Sequence, residues 1–327
     1  MRVFITGGSG QTGPAIIEEL TRAGHTVSAL ARSAESARRL ESLGVVAVPG
    51  SLEDLGVLAE SAMEADGVVH MAYGGDFADP EPMMRRDVNA INMFGTALEG
   101  TGKPLVVTSG TLVMPAGATA TETDIPDPRG LAPFRIAGEQ ACLALADRGV
   151  RASIVRLAPT VHGPKDHGFM SLLIQTARTT GVSAYVDTGA NRWPAVHRDD
   201  AAVLFRLALE HADPGCILHG VAETVRFIDI AETIADGLGV PPRSITPDEA
   251  AAHFTSPFMA MLYGADVPAA SDLTREKFGW TPTQRGLLAD LSQGDYLHTR
   301  TATDVAATAL KPSRRGGPRH PSPAAEL

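Results

Sequence analysis

Cysteine, aromatic rings and positive charge are all scarce in this chain. Two cysteines, Cys142 and Cys216, stand among 327 residues. One falls in an expected helix and the other in an expected strand, where single thiols fill apolar space rather than build a disulfide or a ligand pair. Aromatic residues make up 5% of the chain, too few to say much about what it binds. A formal net charge of -10 with no basic run in the folded part argues against nucleic acid or an anionic membrane as partner. No apolar stretch approaches a membrane span, and Val3 already lies in an apolar strand pattern rather than a signal-peptide pattern. A metal-free cytoplasmic protein is therefore expected. Hydrophobic residues, at 44%, suffice for a large core in one big domain or one and a half.

What the chain does have is an organising stretch at its start. Val3-Phe4-Ile5 runs into Thr6-Gly7-Gly8-Ser9-Gly10-Gln11-Thr12-Gly13, then an amphipathic segment over Pro14–Ala23 and a β-rich run over Thr26–Leu30. That is strand, glycine turn, helix and strand, the βαβ unit that binds dinucleotides. Gly7 can take the tight turn, Gly10 lets the backbone approach a pyrophosphate, and Gly13 lets the helix lie close to the strand. Gln11 and Thr12 complete the expected cofactor turn, at a helix N-terminus suited to phosphate.

The alternation continues. Helices are expected over Ala34–Leu43, Leu52–Met63, Met83–Leu98 and Phe134–Arg148, and strands over Val45–Val48, Gly67–Met71, Leu105–Thr108 and Ala152–Leu157. Near-continuous apolar strands between amphipathic helices predict an α/β fold, a doubly wound Rossmann parallel sheet covered on both faces. Residues 1–157 form the expected dinucleotide-binding core. Residues 158–300 form a smaller C-terminal α/β substrate lobe, some of whose elements return to the core. It opens with a turn-rich stretch over Ala158–Gly168, followed by a helix over Phe169–Thr180, a strand over Ser183–Val186, a strand near Cys216–His219 and a helix over Phe227–Leu238. Residues 301–327, rich in Ala, Pro, Arg and Ser, read as a disordered tail.

Several local patterns together resemble the extended and atypical short-chain dehydrogenase/reductases, the NAD-dependent epimerase/dehydratase superfamily. They are TGGSGQTG (Thr6–Gly13), ADGVVHMA (Ala65–Ala72), NMFGT (Asn92–Thr96), LVVTSGT (Leu105–Thr111), VRLAPTVHGP (Val155–Pro164), WPAVHRDDA (Trp193–Ala201) and LTREKFGWTPT (Leu273–Thr283). The resemblance implies Met71, Ala72 and Pro159 beside a nicotinamide cofactor, and a homodimer through helices Met83–Leu98 and Phe134–Arg148. It breaks at the catalytic helix. Where the family's Tyr-x-x-x-Lys should stand, this chain has Phe134 and Gly138. Phe134 has no proton to give and Gly138 no charge, so Phe134 is reassigned to the substrate wall. Losing a general acid costs ~10²–10⁴ in rate unless another group substitutes.

Candidate substitutes are Ser109 and Thr111 after the fifth strand (with Gly110 competing for the serine slot), Tyr73 after the fourth, and His162 and His167 in HGPKDHG. Trp193 and His197 are expected at the substrate, although His197 also suits a helix start before Asp199 and Asp200. The spacing of His162, His167 and His197 lacks a carboxylate ligand pattern, so no metal is expected. The second strand ends in Ala31-Arg32-Ser33 with no acid, which favours NADP(H) over NAD(H): Arg32 and Ser33 could hold a 2′-phosphate. Ser51, with Leu52, stands where relatives read the adenine through an Asp. Three functions fit: an oxidoreductase on a small, largely apolar carbonyl or alcohol; a non-redox isomerase, dehydratase or cyclase; or a silent NADP(H) sensor.

Overall fold

The computed structural model describes residues 1–74 and 79–297. The expected tail over 301–327 lies outside the described residues. Twelve strands appear among the described residues: β1 (Arg2–Thr6), β2 (Thr26–Ala31), β3 (Val46–Pro49), β4 (Gly67–His70), β5 (Pro104–Gly110), β6 (Arg151–Leu157), β7 (Thr160–His162), β8 (Ser183–Val186), β9 (Arg192–His197), β10 (Cys216–Gly220), β11 (Glu223–Arg226) and β12 (Pro242–Ile245). The helices are α1 (Gly13–Arg22), α2 (Ala34–Ser42), α3 (Leu55–Glu64), α4 (Glu81–Leu98), α5 (Ile136–Leu143), α6 (Phe169–Thr180), α7 (Arg198–His211), α8 (Phe227–Leu238), α9 (Pro247–His253), α10 (Pro257–Gly264), α11 (Asp272–Phe278) and α12 (Leu287–Gln293).

Seven strands build one parallel sheet in the order β3-β2-β1-β4-β5-β6-β10. β1 is flanked by β2 on one side and β4 on the other, so the winding reverses there and a crevice opens beyond their C-terminal ends. In that register Thr6 lies beside His70. One face of the sheet packs on Ile16, Ile17 and Leu20 of α1 and on Leu204, Phe205 and Leu209 of α7. The other packs on Leu58 of α3, Ile91, Phe94 and Leu98 of α4, and Cys142 of α5. Burying both faces explains why these strands read as unbroken apolar runs. β7, β9 and β11 make a second sheet, β8 and β12 a third pair, and these pack with α6, α8 and α10 around Trp193, Phe227 and Tyr263.

Two expected elements need correction. The single helix over Phe134–Arg148 is broken into a 3₁₀ turn at Pro133–Arg135, α5, and a second 3₁₀ turn at Ala146–Arg148. Proline lacks the N–H needed within a helix, and Gly149 turns the chain with φ 70°. The stretch after Leu157 is more than turns, because Thr160–His162 pairs with β9.

Charges are buried with their partners. Arg156 of β6 donates to Glu139 of α5 through Nε (3.0 Å) and Nη2 (2.7 Å), and both side chains are almost wholly buried. Removing one member of such a pair strands the other. Glu139→Gln is expected to cost about 3–5 kcal/mol in a urea melt; a loss under about 1 kcal/mol would show that Arg156 needs no anion there. His219 on β10 is also buried, and burial pushes its imidazole below the ordinary range, helped by the Arg156 charge and opposed by the Ala270 carbonyl and Glu122. The unfolded chain therefore binds a proton first on acidification, so this contribution is complete above the ordinary histidine pKa of about 6.5 and is lost as pH falls below it. The wild-type Tm should drop between about pH 7 and 5, and His219→Gln should flatten that drop; an unchanged slope would remove His219 as its source.

Candidate active site

The glycine turn is built so tightly that side chains cannot enter it. Gly7 has φ 79°, and a Cβ there would lie 2.8 Å from the Ala72 nitrogen. Gly10 closes the turn by donating its N–H to Gly7 O at 3.0 Å. A Cβ on Gly13 would overlap Gly8 O. No side chain caps the start of α1, so its first N–H groups stay available beside a backbone cradle. That combination fits a dinucleotide pyrophosphate.

From the same strand end a buried polar chain crosses the sheet. Thr6 Oγ1 accepts from the backbone N–H of Met71 (3.2 Å) and of Ala72 (3.1 Å). With both lone pairs used, its own proton goes to His70 Nδ1 at 2.7 Å. His70 therefore carries its ring proton on Nε2 and donates it to Asp87 Oδ1 of α4 at 3.1 Å. The other Asp87 oxygen faces Arg135, 3.7 Å from Nη1. It also fills the space over Gly138, where a Cβ would overlap Oδ2. Arg135 Nη2 donates to Thr108 O, and the guanidinium lies flat over the Tyr73 ring at 3.7 Å. Tyr73 in turn stacks on Phe134, with centroids 6.3 Å apart and planes 18° from parallel.

Around this chain the hydroxyls of Tyr73, Thr108, Ser109 and Thr111 and the Nη1 of Arg135 are buried without a hydrogen-bond partner among the described residues. An unmatched buried polar atom costs about 1–3 kcal/mol, so several of them along adjacent strand ends are open to a ligand's polar atoms. Burial pushes the Tyr73 phenol above its ordinary range, against the pull of Arg135, so it is protonated at neutral pH. Neither Arg135 nor Asp87 stood among the expected site residues. Their only sequence signal was that Arg135 follows the misfit Phe134.

The loop after β7 is pinned to the glycine turn. Gln11 donates to Val161 O (2.9 Å) and to Asp166 Oδ1, and accepts from the His167 N–H at 3.1 Å. Asp166 also accepts from Gly168 N (2.6 Å) and from the Tyr296 hydroxyl (2.8 Å), and burial still pushes its carboxyl above the usual range. The His167 side chain stays at the surface.

Several expected sites are corrected here. Trp193 is fully buried against Phe227 and Tyr263 and donates Nε1–H to Ala265 O at 3.2 Å, so it is lobe core and not a substrate wall. His197 caps α7 by accepting Asp199 N–H at Nδ1 (3.2 Å), and Ser33 caps α2 through Ser36 N–H at 3.1 Å. His162 is buried, with Nδ1 2.9 Å from Asp290 Oδ2. Asp290 supplies the carboxylate that the histidine spacing lacked: His162, His197 and Asp290 have potential ligand atoms within 4.8 Å of one another, while His167 is not among them. The Nδ1 atoms of both rings are engaged, that of His162 with Asp290 and that of His197 with the Asp199 N–H. Ser51 bonds to Asp54 Oδ2 through both N–H (2.7 Å) and hydroxyl (2.8 Å), at the entry to α3 beside the half-buried Leu52. Arg32 is exposed and makes no ion pair among the described residues. Thr12 and Pro159 are half-buried at the ends of the turn and of β6.

Known proteins resemble this chain along nearly its whole length. An uncharacterized protein of Schizosaccharomyces pombe is 42% identical over 300 residues, covering 90% of this chain and 100% of its own. The 4-hydroxy-2-methyl-3-oxo-4-farnesyl-3,4-dihydroquinoline-1-oxide ketoreductase of Stigmatella aurantiaca is 27% identical over 223 residues, covering 66% of each chain. The crystal structure of DesIV, a dTDP-glucose 4,6-dehydratase from Streptomyces venezuelae with NAD and TYD bound, superposes with a TM-score of 0.74 at 18% identity, over 91% of this chain and 96% of that one. The model of the NAD dependent epimerase/dehydratase family matches residues 3–218. With the glycine turn, the strand order and this match in hand, the chain belongs to the NAD dependent epimerase/dehydratase family.

Proposed function

We propose that this protein is an NADP(H)-dependent oxidoreductase acting on a small, largely apolar carbonyl or alcohol. The observation that carries the reading is the set of unpartnered buried hydroxyls at the ends of β4 and β5, in a sheet whose first strand runs into a tight glycine turn and an uncapped helix N-terminus. The turn from Gly7 to Gly13 with the N-terminus of α1 would hold the pyrophosphate, and Met71, Ala72 and Pro159 would border the nicotinamide. When bound, the nicotinamide supplies or accepts a hydride. Ser109 and Thr111 would hydrogen-bond the substrate oxygen, and the stacked rings of Phe134 and Tyr73 would give it an apolar wall. The resemblance to the Stigmatella aurantiaca ketoreductase agrees with carbonyl chemistry.

The preference for NADP(H) rests on β2 ending without an acid and on Arg32 standing exposed beyond it. An acid there would repel a 2′-phosphate, whereas a guanidinium can bind it through a bidentate fork. Ser33, engaged in the α2 cap, contributes less to that contact than Arg32.

Calorimetric titration with NADP⁺ and NAD⁺ in parallel tests the reading. The wild-type chain should bind NADP⁺ more tightly. Arg32→Glu should weaken NADP⁺ by about ten-fold or more, the worth of one charge-assisted hydrogen bond, and leave NAD⁺ nearly unchanged. Equal losses would take Arg32 away from the 2′-phosphate. If neither nucleotide bound the wild type, the oxidoreductase reading would fall.

A further inference from the structure

We propose that Tyr73 donates the proton to the substrate oxygen, with Arg135 beside it to stabilise the phenolate left behind. A Tyr–Arg pair would thus replace the missing Tyr–Lys pair from a different part of the fold. The inference rests on the oxidoreductase reading and concerns only residues of this chain.

Three observations lead there. First, the old arrangement has no room to return. The lysine position is Gly138, and the space a side chain would need is taken by the Asp87 carboxylate. The tyrosine position is Phe134, whose ring stacks nearly parallel to Tyr73. The surviving phenol is therefore one ring-stack away from where the lost one would stand. Second, the Tyr73 hydroxyl is buried with no hydrogen-bond partner among the described residues, as are Ser109 Oγ and Thr111 Oγ1 at the end of the neighbouring strand. An unmatched phenol just beyond a strand end is placed to meet a substrate oxygen. Third, the Arg135 guanidinium lies 3.7 Å from the centre of the Tyr73 ring, fixed by Thr108 O and by Asp87. A cation over an aromatic face is attracted to the neutral ring and more strongly to the phenolate, so it favours release of the proton.

The charges facing Tyr73 are Arg135, Asp87 and Arg86. Asp87 opposes proton loss, and the two arginines favour it. Arg86 Nη2 donates to Gly74 O at 3.0 Å, which anchors the segment just after Tyr73. In the reducing direction the carbonyl carbon takes hydride from the dihydronicotinamide and the π pair moves to oxygen. That oxygen forms a new O–H bond with the Tyr73 proton, the phenol O–H bond breaks, and the phenolate remains beside Arg135 until water reprotonates it. In oxidation the same phenolate removes the alcohol proton. Arg135 touches the ring and not the reacting atoms, so it is a positioning residue.

The test uses the full chain, with Tyr73→Phe, Arg135→Gln and Arg135→Lys. Tyr73→Phe deletes a hydroxyl that has no partner, so it should fold normally. It should bind NADPH within about two-fold of wild type by calorimetry while losing about 10²-fold or more in NADPH oxidation with nitrobenzaldehyde as carbonyl probe. Phenolate difference absorbance between wild type and Tyr73→Phe isolates the Tyr73 titration, because the other three tyrosines, Tyr185, Tyr263 and Tyr296, are common to both proteins and cancel. Arg135→Gln should move that titration upward by about one unit, and Arg135→Lys should restore most of the shift. Tyr73→Phe with wild-type turnover would overturn the donor role. An unmoved titration in Arg135→Gln would overturn the pairing, and this arm needs no turnover. A wild-type chain that binds NADPH and keeps its turnover in Tyr73→Phe overturns only the present inference; one that binds no NADPH overturns the oxidoreductase reading together with the donor role.

Discussion

The carboxylate of Asp87 is the fixed point of the candidate site. A charge taken out of water must find partners or cost several kcal/mol. Asp87 finds them on two elements, the His70 ring at the end of β4 and Arg135 in the turn before α5, and its second oxygen packs over Gly138. Each partner is constrained in return. His70 must hold its proton on Nε2, which requires Thr6 to donate to Nδ1 and to receive the two backbone N–H groups that follow β4. A side chain at position 138 would displace the Asp87 carboxylate. Arg135 must bend back over Tyr73 and Thr108, so the 3₁₀ turn that carries it precedes α5 instead of merging with it. One buried anion thereby ties the glycine turn, the end of the sheet and the catalytic-helix region into a single unit.

The sheet delivers these residues to one place through its register. Parallel pairing sets Thr6 beside His70 and His70 beside Val107, so β1 and β4 end level while β5 runs on to Gly110 along the crevice. The chain after Leu157 contributes twice to holding that edge. It supplies α7 and β10 to the core, and it sends the loop after β7 back to the glycine turn, where Gln11 meets Asp166. Tyr296 holds the far side of Asp166 and also accepts the Gly163 N–H at 3.1 Å. The glycine turn is therefore buttressed from both halves of the chain, a prerequisite for holding a flexible dinucleotide in one pose.

The parts of the fold legible in the sequence are those governed by local pattern. Val3-Phe4-Ile5, the glycine spacing, and the helices Phe169–Thr180 and Phe227–Leu238 announce themselves through periodicity and turn residues, and they stand where those signals put them. The failures come from tertiary partners. Nothing near His162 in the chain points to Asp290, because their bond forms only when α12 folds against β7. Trp193 looks like a pocket wall by residue type, yet the lobe needs a large ring to fill its centre against Phe227 and Tyr263. The helix over Phe134–Arg148 looked continuous because its apolar spacing is helical, while the need to aim Arg135 at Asp87 is invisible locally. Phe134 and Gly138 were plain in the sequence; the Asp87 carboxylate packed over Gly138 was not.

The distribution of satisfied and unsatisfied polar atoms gives the site its meaning. Elsewhere many buried charges are matched, Arg156 by Glu139 and Asp200 by the N–H groups of Thr283 (2.9 Å) and Gln284 (3.1 Å), although single unmatched atoms also stand at Ser153, Thr160, Arg198, His219 and His253. At the ends of β4 and β5 the same fold leaves four hydroxyls without hydrogen-bond partners among the described residues, near Arg135, whose Nη1 faces Asp87 at 3.7 Å. At about 1–3 kcal/mol each, these atoms forgo an amount comparable with a whole domain's stability if nothing ever meets them. Apolar residues of similar size would have removed that cost, since Val replaces Thr and Phe replaces Tyr with little change of shape. Their retention on the strands flanking the glycine turn argues that a polar ligand completes the hydrogen bonding, and that the fold is most fully satisfied when the site is filled.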